Sequence, residues 1–239
     1  MKKVCAVIPT YNNSSTIADV IRNVLVYCKD VIVVSDGADD ATCKEIKQFG
    51  ERIVFIAYTP NRGKGYALKT AFKRAKAMGF DYAISLDSDG QHFADDIPTF
   101  MELIQSGNDE LFVGSRCLHA ENMPSGNTFA NKFSNFWFSV QTFLKLPDTQ
   151  TGYRAYPLRN CVFPLTNRYE AELEILVRSA WRGIKLVPVP IKVYYAPDEI
   201  RVSHFRKGRD FTRISLLNTV LTLVAICYGW PSMLFHKLF

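Results

Sequence analysis

None of the six cysteines (Cys5, Cys28, Cys43, Cys117, Cys161 and Cys227) stands in a Cys-x-x-Cys pair. That scatter argues against a zinc ribbon or a disulfide framework and for a reducing compartment, with most thiols serving as small buried hydrophobes. The chain also lacks internal repeats, low-complexity tracts, the phosphate loop G-x-x-x-x-G-K-[ST] and the dinucleotide fingerprint G-x-G-x-x-G. Acidic residues are outnumbered by basic ones, 23 to 29, for a net charge of +6. No basic run interleaved with aromatics recurs, so a phosphate-rich ligand or anionic lipid is the expected partner, not nucleic acid. The apolar run after Met1-Lys2-Lys3 is too short for a signal peptide. It reads as a first strand, which predicts that the body of the protein stays in the cytoplasm.

What is present suits one sizeable α/β domain of 239 residues. Apolar runs predict strands over Val4–Ile8, halted by Pro9, and over residues 31–34, 53–57, 82–86 and 110–113. An edge or bent strand is expected over residues 184–194, which hold Pro188 and Pro190. Helical spacing begins at Ile17, after the capping side chains Ser14 to Thr16, and recurs over residues 41–49, 66–78, 97–104, 127–146 and 170–181. This alternation predicts a mostly parallel central sheet flanked by helices on both faces. In the helix over 127–146, Phe129, Phe133, Phe136, Trp137, Val140, Phe143 and Leu144 form one broad face, expected to pack on the core rather than line a lipid groove. Glu170, Glu172 and Glu174 open the next helix, where acids suit the helix dipole, and read as mostly structural.

Residues 214–235 hold no charged side chain, although Asn218, Gly229 and Pro231 interrupt the run. A spanning helix needs roughly 20 mainly apolar residues, so the segment is borderline. Just before it, Arg201 to Arg213 include five Arg or Lys residues and His204 against one acid, Asp210. The pattern predicts a kinked helix in the membrane interface, its basic stretch on anionic headgroups. A helix packed on the core or an oligomer contact is the alternative. The chain thus divides into an α/β domain, residues 1–200, and a basic and apolar C-terminal segment, residues 201–239.

The most informative stretch is residues 84–92, Ile-Ser-Leu-Asp-Ser-Asp-Gly-Gln-His. An apolar strand leads into Asp87 and Asp89, whose i, i+2 spacing on extended backbone points both to one side. Paired acids at a strand end are costly without a cation between them, and a divalent metal such as Mg²⁺ carrying a diphosphate is the natural occupant. Gln91 and His92 are candidate further ligands, although a lone surface histidine is usually only that. In such sheets ligands bind at the carboxyl ends of the strands, where Thr10 to Asn13, Ser35 to Gly37, Asn61 to Gly65 and Asp87 to Asp89 all fall. Asp36 is either a turn former or an acceptor for a base or ribose. Arg62 and Lys64, with glycines and free backbone N–H groups, make a candidate anion site at a helix entrance. Asp148 is either half of an Asp–Arg pair with Arg154 that fixes its loop, or an acid that activates or positions an acceptor.

Together these residues resemble family 2 glycosyltransferases of the GT-A fold, and most of all the dolichol- and polyprenyl-phosphate sugar synthases. The resemblance rests on Ile8-Pro9-Thr10-Tyr11-Asn12-Asn13, Val33-Val34-Ser35-Asp36, Asp87-Ser88-Asp89-Gly90-Gln91-His92, Gly114-Ser115-Arg116 and Asp148 through Tyr156. It implies an inverting transferase that moves a sugar from a nucleoside-diphosphate sugar to a membrane lipid acceptor, polyprenyl phosphate first among them. Pro9, Tyr11, Asn13, Asp36 and Ser88 would belong to the donor site, with Arg116 and Arg201 as phosphate partners. Asp87, Asp89 and Gln91 would hold Mg²⁺ or Mn²⁺, and Asp148 would be the base or the acceptor-positioning acid. The family's Arg-x-x-Gly-x-Ser-Lys-like segment is replaced by Arg201 to Gly208, which leaves another lipid headgroup or a glycan open as acceptor. A nucleotidyltransferase would need a Gly-rich basic loop where Tyr11-Asn12-Asn13 stands. A non-catalytic nucleotide-sugar-binding module would bind donor without metal or turnover.

Overall fold

Seven short apolar runs form the strands of one mixed sheet. In the computed structural model, which describes residues 1–116, 125–194 and 207–238, they are β1 (Val4–Thr10), β2 (Val31–Asp36), β3 (Val54–Tyr58), β4 (Tyr82–Ser85), β5 (Leu111–Arg116), β6 (Arg154–Pro157) and β7 (Leu186–Ile191). Their order is β3-β2-β1-β4-β6-β5-β7. All pairs are parallel except those of β6, which is antiparallel to β4 and β5. The helices are α1 (Ile17–Tyr27), α2 (Asp40–Lys47), α3 (Lys64–Ala77), α4 (Ile97–Ser106), α5 (Ser125–Thr142), α6 (Glu170–Trp181), α7 (Lys207–Val224) and α8 (Trp230–Leu238). A π-helical segment, Ala225–Gly229, joins the last two.

Alternation along the central strands builds two cores. Ala6 and Ile8 of β1 face the core under α1 and α4, whereas Cys5 and Val7 face the core under α3, α5 and α6. As expected, β7 with its two prolines lies at a sheet edge. The strand expected to stop at Pro9 instead runs through it to Thr10. There β1 still pairs with β2, but its pairing with β4 has ended at Val7, so a residue without an N–H is tolerated. Thr16 makes no side-chain cap at α1; its hydroxyl donates to the Ser88 carbonyl at 2.7 Å. Of the described cysteines, all free, Cys5 and Cys28 are buried and Cys227 is exposed. Cys117 lies outside the described residues.

Two differences from the sequence reading matter for function. Strand β6 lies where a loop was expected: Tyr153 and Ala155 enter one core and Tyr156 the other, a period-2 pattern broken up by charged Arg154. Helix α5 also packs differently. Among its described side chains Asn131, Ser134, Phe138, Gln141 and Thr142 are buried, and Phe133, Trp137 and Val140 are half-buried. Phe136 is 60% exposed, as is Phe143 just beyond the helix end at 69%. The Phe129 side chain lies outside the described residues. The polar stripe faces inward because it has partners there. Asn131 donates to Asp148, the Ser134 hydroxyl accepts from Thr149, and Gln141 donates to Asn218 and Thr222.

The C-terminal helix is both packed and exposed. Gly208–His236 is long and apolar enough to cross a membrane. Along its inner side Asn218, Leu221, Ala225 and Gly229 are buried, and Leu221 and Ala225 join the core beneath α5 and α6. The Trp181 indole donates to the Gln141 carbonyl at 2.8 Å, and a Cβ on Gly229 would stand 2.4 Å from the Trp181 ring. Gly229→Val is therefore expected to destabilise the fold by about 1–3 kcal/mol through overpacking. Thermal unfolding would check this, and an unchanged melting temperature would contradict the packing of this helix on α6.

Candidate active site

Parallel strands β1, β2 and β4 end at one edge of the sheet, and antiparallel β6 begins there. The Leu86 N–H still bonds the Val7 carbonyl at 3.0 Å, after which the chain leaves the sheet. Ser88 turns inward, 4% exposed, and its hydroxyl accepts from Asn13 Nδ2 at 2.5 Å. Asp87 and Asp89 on either side of it are half-buried, so the two acids are less enclosed than the serine between them. Ser88 and Asn13, expected at the donor, bond each other instead and build the turn. Pro9 is buried within β1, and Tyr11 is half-buried just beyond its end.

The strongest contact at this edge joins three elements. Helices α3 and α6 meet at their starts, where a Cβ on Gly65 would stand 2.4 Å from the Ala171 Cβ and the Tyr66 N–H bonds the Asn167 carbonyl at 3.0 Å. From that junction the Lys64 ammonium lies 2.6 Å from Asp87 Oδ1 and 2.9 Å from Glu172 Oε2. Burial alone would lower the lysine, yet Asp87 and Glu172 hold it well above the ordinary lysine range. Burial would likewise raise Asp87, but Lys64 holds it below the usual carboxylate range. Asp89 is pushed the other way, upward, first by burial and then by the Asp87 charge. His92, far from being a surface residue, has a side chain only 6% exposed. Its Nδ1 accepts from the Asp87 N–H at 3.3 Å, and burial pushes the imidazole down to about 4, so it is neutral.

Asp36 is 3% exposed and fully engaged with the next loop. Its carboxylate accepts from Asn61 Nδ2 at 2.9 Å and from the N–H groups of Arg62 and Gly63, each at 2.7 Å. This corrects two expectations: those backbone N–H groups are not free for an anion, and Asp36 shapes the loop. Arg62 is exposed at the rim, its guanidinium 4.8 Å from the Tyr66 ring and bonded to the Tyr66 hydroxyl.

Asp148 is paired with Arg116 and not with Arg154. Arg116 Nε and Nη2 grip its two oxygens at 2.5 and 3.0 Å, while Asn131 and the N–H groups of Gln150 and Thr151 donate to Oδ1. Despite burial, these donors hold its carboxyl below the usual range. A carboxylate so enclosed is placed to hold its loop. Arg154 is fully buried and donates to the carbonyls of Thr149, Thr151 and Glu172 at 2.7–2.9 Å. Sequence reasoning missed this clamp and the role of Glu172; the only signal was an acid at the third position of a buried helix. Gln91 donates its N–H to Asp89 Oδ1 and accepts from the Tyr194 N–H through its carbonyl. Arg201 and His204 lie outside the described residues.

The acids fit a hard divalent cation. Asp87 and Asp89 are both half-buried at this edge, and Asp89 makes no ion pair among the described residues. No group of three His, Cys, Asp or Glu is placed to hold a metal ion by itself among those residues. Such a site supplies one or two carboxylates and takes its remaining oxygens from substrate phosphate, as Mg²⁺ sites do.

A mixed sheet with this strand order, and paired acids beyond its central strand, defines a GT-A-type nucleotide-sugar transferase fold. The family model described as glycosyl transferase family 2 matches residues 5–161, and the chain belongs to that family: it is a glycosyltransferase that draws on a nucleoside-diphosphate sugar. A UDP-N-acetylglucosamine–dolichyl-phosphate N-acetylglucosaminyltransferase from Methanococcus voltae is 31% identical over 81% of this chain and 86% of its own length. An undecaprenyl-phosphate mannosyltransferase from Micrococcus luteus is 26% identical over 79% and 82%. Glucosyl-3-phosphoglycerate synthase from Mycobacterium tuberculosis, solved with Mn²⁺ and UDP-glucose, superposes with a TM-score of 0.67 at 18% identity over 95% of this chain and 79% of that one, a likeness in fold.

If Asp148 is a buried anchor, Asp148→Asn weakens its bidentate pair with Arg116 and lowers stability by about 3 kcal/mol. Thermal unfolding with and without donor would check it. An unchanged melting temperature with abolished turnover would assign Asp148 to proton transfer instead.

Proposed function

We propose that this protein transfers a sugar from a nucleoside-diphosphate donor, bound with Mg²⁺ or Mn²⁺ at Asp87 and Asp89, to a lipid acceptor at a membrane surface, polyprenyl phosphate first among candidates. The observation that carries the reading is the cluster at the strand ends: two half-buried carboxylates, Asp87 and Asp89, with Lys64 on Asp87 and Arg62 exposed nearby. A divalent cation held there offsets the negative charge that gathers on the departing diphosphate. Tyr11 and the loop shaped by Asp36 border the nucleoside end of the site.

The acceptor follows from Asp148. With that carboxylate enclosed by Arg116 and Asn131, no free base faces the acceptor from the 148–152 loop. A phosphate is already an anion and needs none. The names of the Methanococcus and Micrococcus relatives, dolichyl-phosphate and undecaprenyl-phosphate transferases, support the same acceptor class.

The C-terminal segment, residues 201–239, brings the catalytic domain, residues 1–200, to the membrane. Leu216, Val220, Leu223, Ile226 and Phe235 are exposed on its outer side, near Arg209 and Arg213 at its start. An apolar ridge with cations at one end suits an anionic interface. Cysteine usage supports the cytoplasmic face.

Two measurements test this reading. Purified protein given donor and Mn²⁺ should glycosylate a polyprenyl phosphate in detergent; transfer only to a soluble phosphorylated acid would contradict the lipid assignment. Replacing Leu216 and Leu223 by Glu should cut binding to anionic vesicles by about tenfold with an unchanged melting temperature, since both side chains are exposed. Undiminished vesicle binding would contradict the ridge.

A further inference from the structure

The two carboxylates that hold Lys64 differ in standing. Asp87, 2.6 Å from the ammonium, belongs to the pair read above as the metal site. Glu172, 2.9 Å from it, does not. It projects from the first turn of α6 with its side chain 9% exposed, and its second oxygen, Oε1, is buried with no hydrogen-bond partner among the described residues. Burying a carboxylate with an idle oxygen is costly unless something uses it.

Glu172 is also held rigidly. Its carbonyl accepts from Arg154 at 2.7 Å, and the close approach of Gly65 to Ala171 fixes the start of α6 against α3. The flexible partner is the lysine stem. On the far side, a Cβ on Gly152 would stand 2.6 Å from Asp87 Oδ2 and 2.8 Å from Lys64 Nζ, so the chain keeps that flank clear of side chain.

We propose that Lys64 and the divalent cation draw on the same carboxylate, Asp87, and that Glu172 is the positioning residue that retains Lys64 when the cation is bound. The inference rests on the metal reading given above. A cation on Asp87 weakens that carboxylate's hold on the ammonium and repels it. The idle oxygen of Glu172 then gives the ammonium a second contact within the cluster, where a diphosphate needs positive charge. Without Glu172, the only carboxylate left to Lys64 among the described residues is Asp87, and the two cations compete outright.

The test is Mn²⁺ binding to the full chain without nucleotide, read by electron paramagnetic resonance of the free ion. Lys64→Met should tighten Mn²⁺ binding by about fivefold, and Glu172→Gln should weaken it by about fivefold. The double variant should bind like Lys64→Met, because Glu172 acts only through Lys64. If the two charges act merely as a general field, the double variant, whose net charge equals that of the wild type, binds like the wild type, and the proposal fails. Should Lys64→Met melt too low to titrate, the double variant against the wild type decides alone. A wild-type chain that binds no Mn²⁺ overturns the metal reading itself, whereas wild-type binding with a wild-type-like double variant overturns only the role of Glu172.

Discussion

Three charged groups from three elements meet at one partly buried point: Lys64 at the start of α3, Asp87 beyond β4 and Glu172 in the first turn of α6. Buried carboxylates need a nearby cation, and breaking such a pair leaves an uncompensated charge. The positions of β4, α3 and α6 are therefore tied together at the edge where ligands enter. Arg154 extends the tie below, linking Glu172 to the loop that carries Asp148 through three carbonyls. Asp148 in turn holds Arg116 at the end of β5. Most of the charge at this edge is thus spent on geometry, while Asp89 makes no ion pair among the described residues.

Much of this was legible in the residues. The apolar runs of β1, β2 and β4 and the 3.6-residue spacing of α6 are local signals, and the structure follows them closely. The gathering of polar strand ends at one edge follows from parallel pairing alone. What was not legible depends on partners distant in sequence. Arg154 reads as a loop charge until the carbonyls of Thr149, Thr151 and Glu172 surround it, and only then is β6 recognisable as a strand. The aromatic face of α5 reads as core because apolar area normally turns inward. Asn131, Ser134 and Gln141 turn inward because each finds a buried partner. Asp36 and the 61–63 loop each looked open to a ligand, but they satisfy each other.

The packing of α5 and the outer side of the C-terminal helix share one consequence. Phe136, Phe143, Leu216 and Leu223 remain on the surface while polar side chains such as Gln141 and Asn218 occupy the interface between the helices. An apolar surface of this kind costs free energy in water and is relieved at a lipid interface. The same sequence property that makes residues 214–235 borderline as a spanning segment, interruption by Asn218 and Gly229, supplies the contacts that pack the helix on Gln141 and Trp181. On the membrane reading proposed above, an anchor packed in this way would couple the position of the transferase domain to the membrane surface.

The claim that the strand-end cluster is the donor and metal site is tested most directly by thermal stabilisation of the purified protein. UDP-, GDP-, CDP- and dTDP-sugars would each be tried with and without Mn²⁺. The account predicts that at least one nucleotide raises the melting temperature in a Mn²⁺-dependent way, and that Asp89→Ala abolishes the shift without lowering the melting temperature of the free protein. A shift of equal size without metal, or one that survives Asp89→Ala, would contradict it.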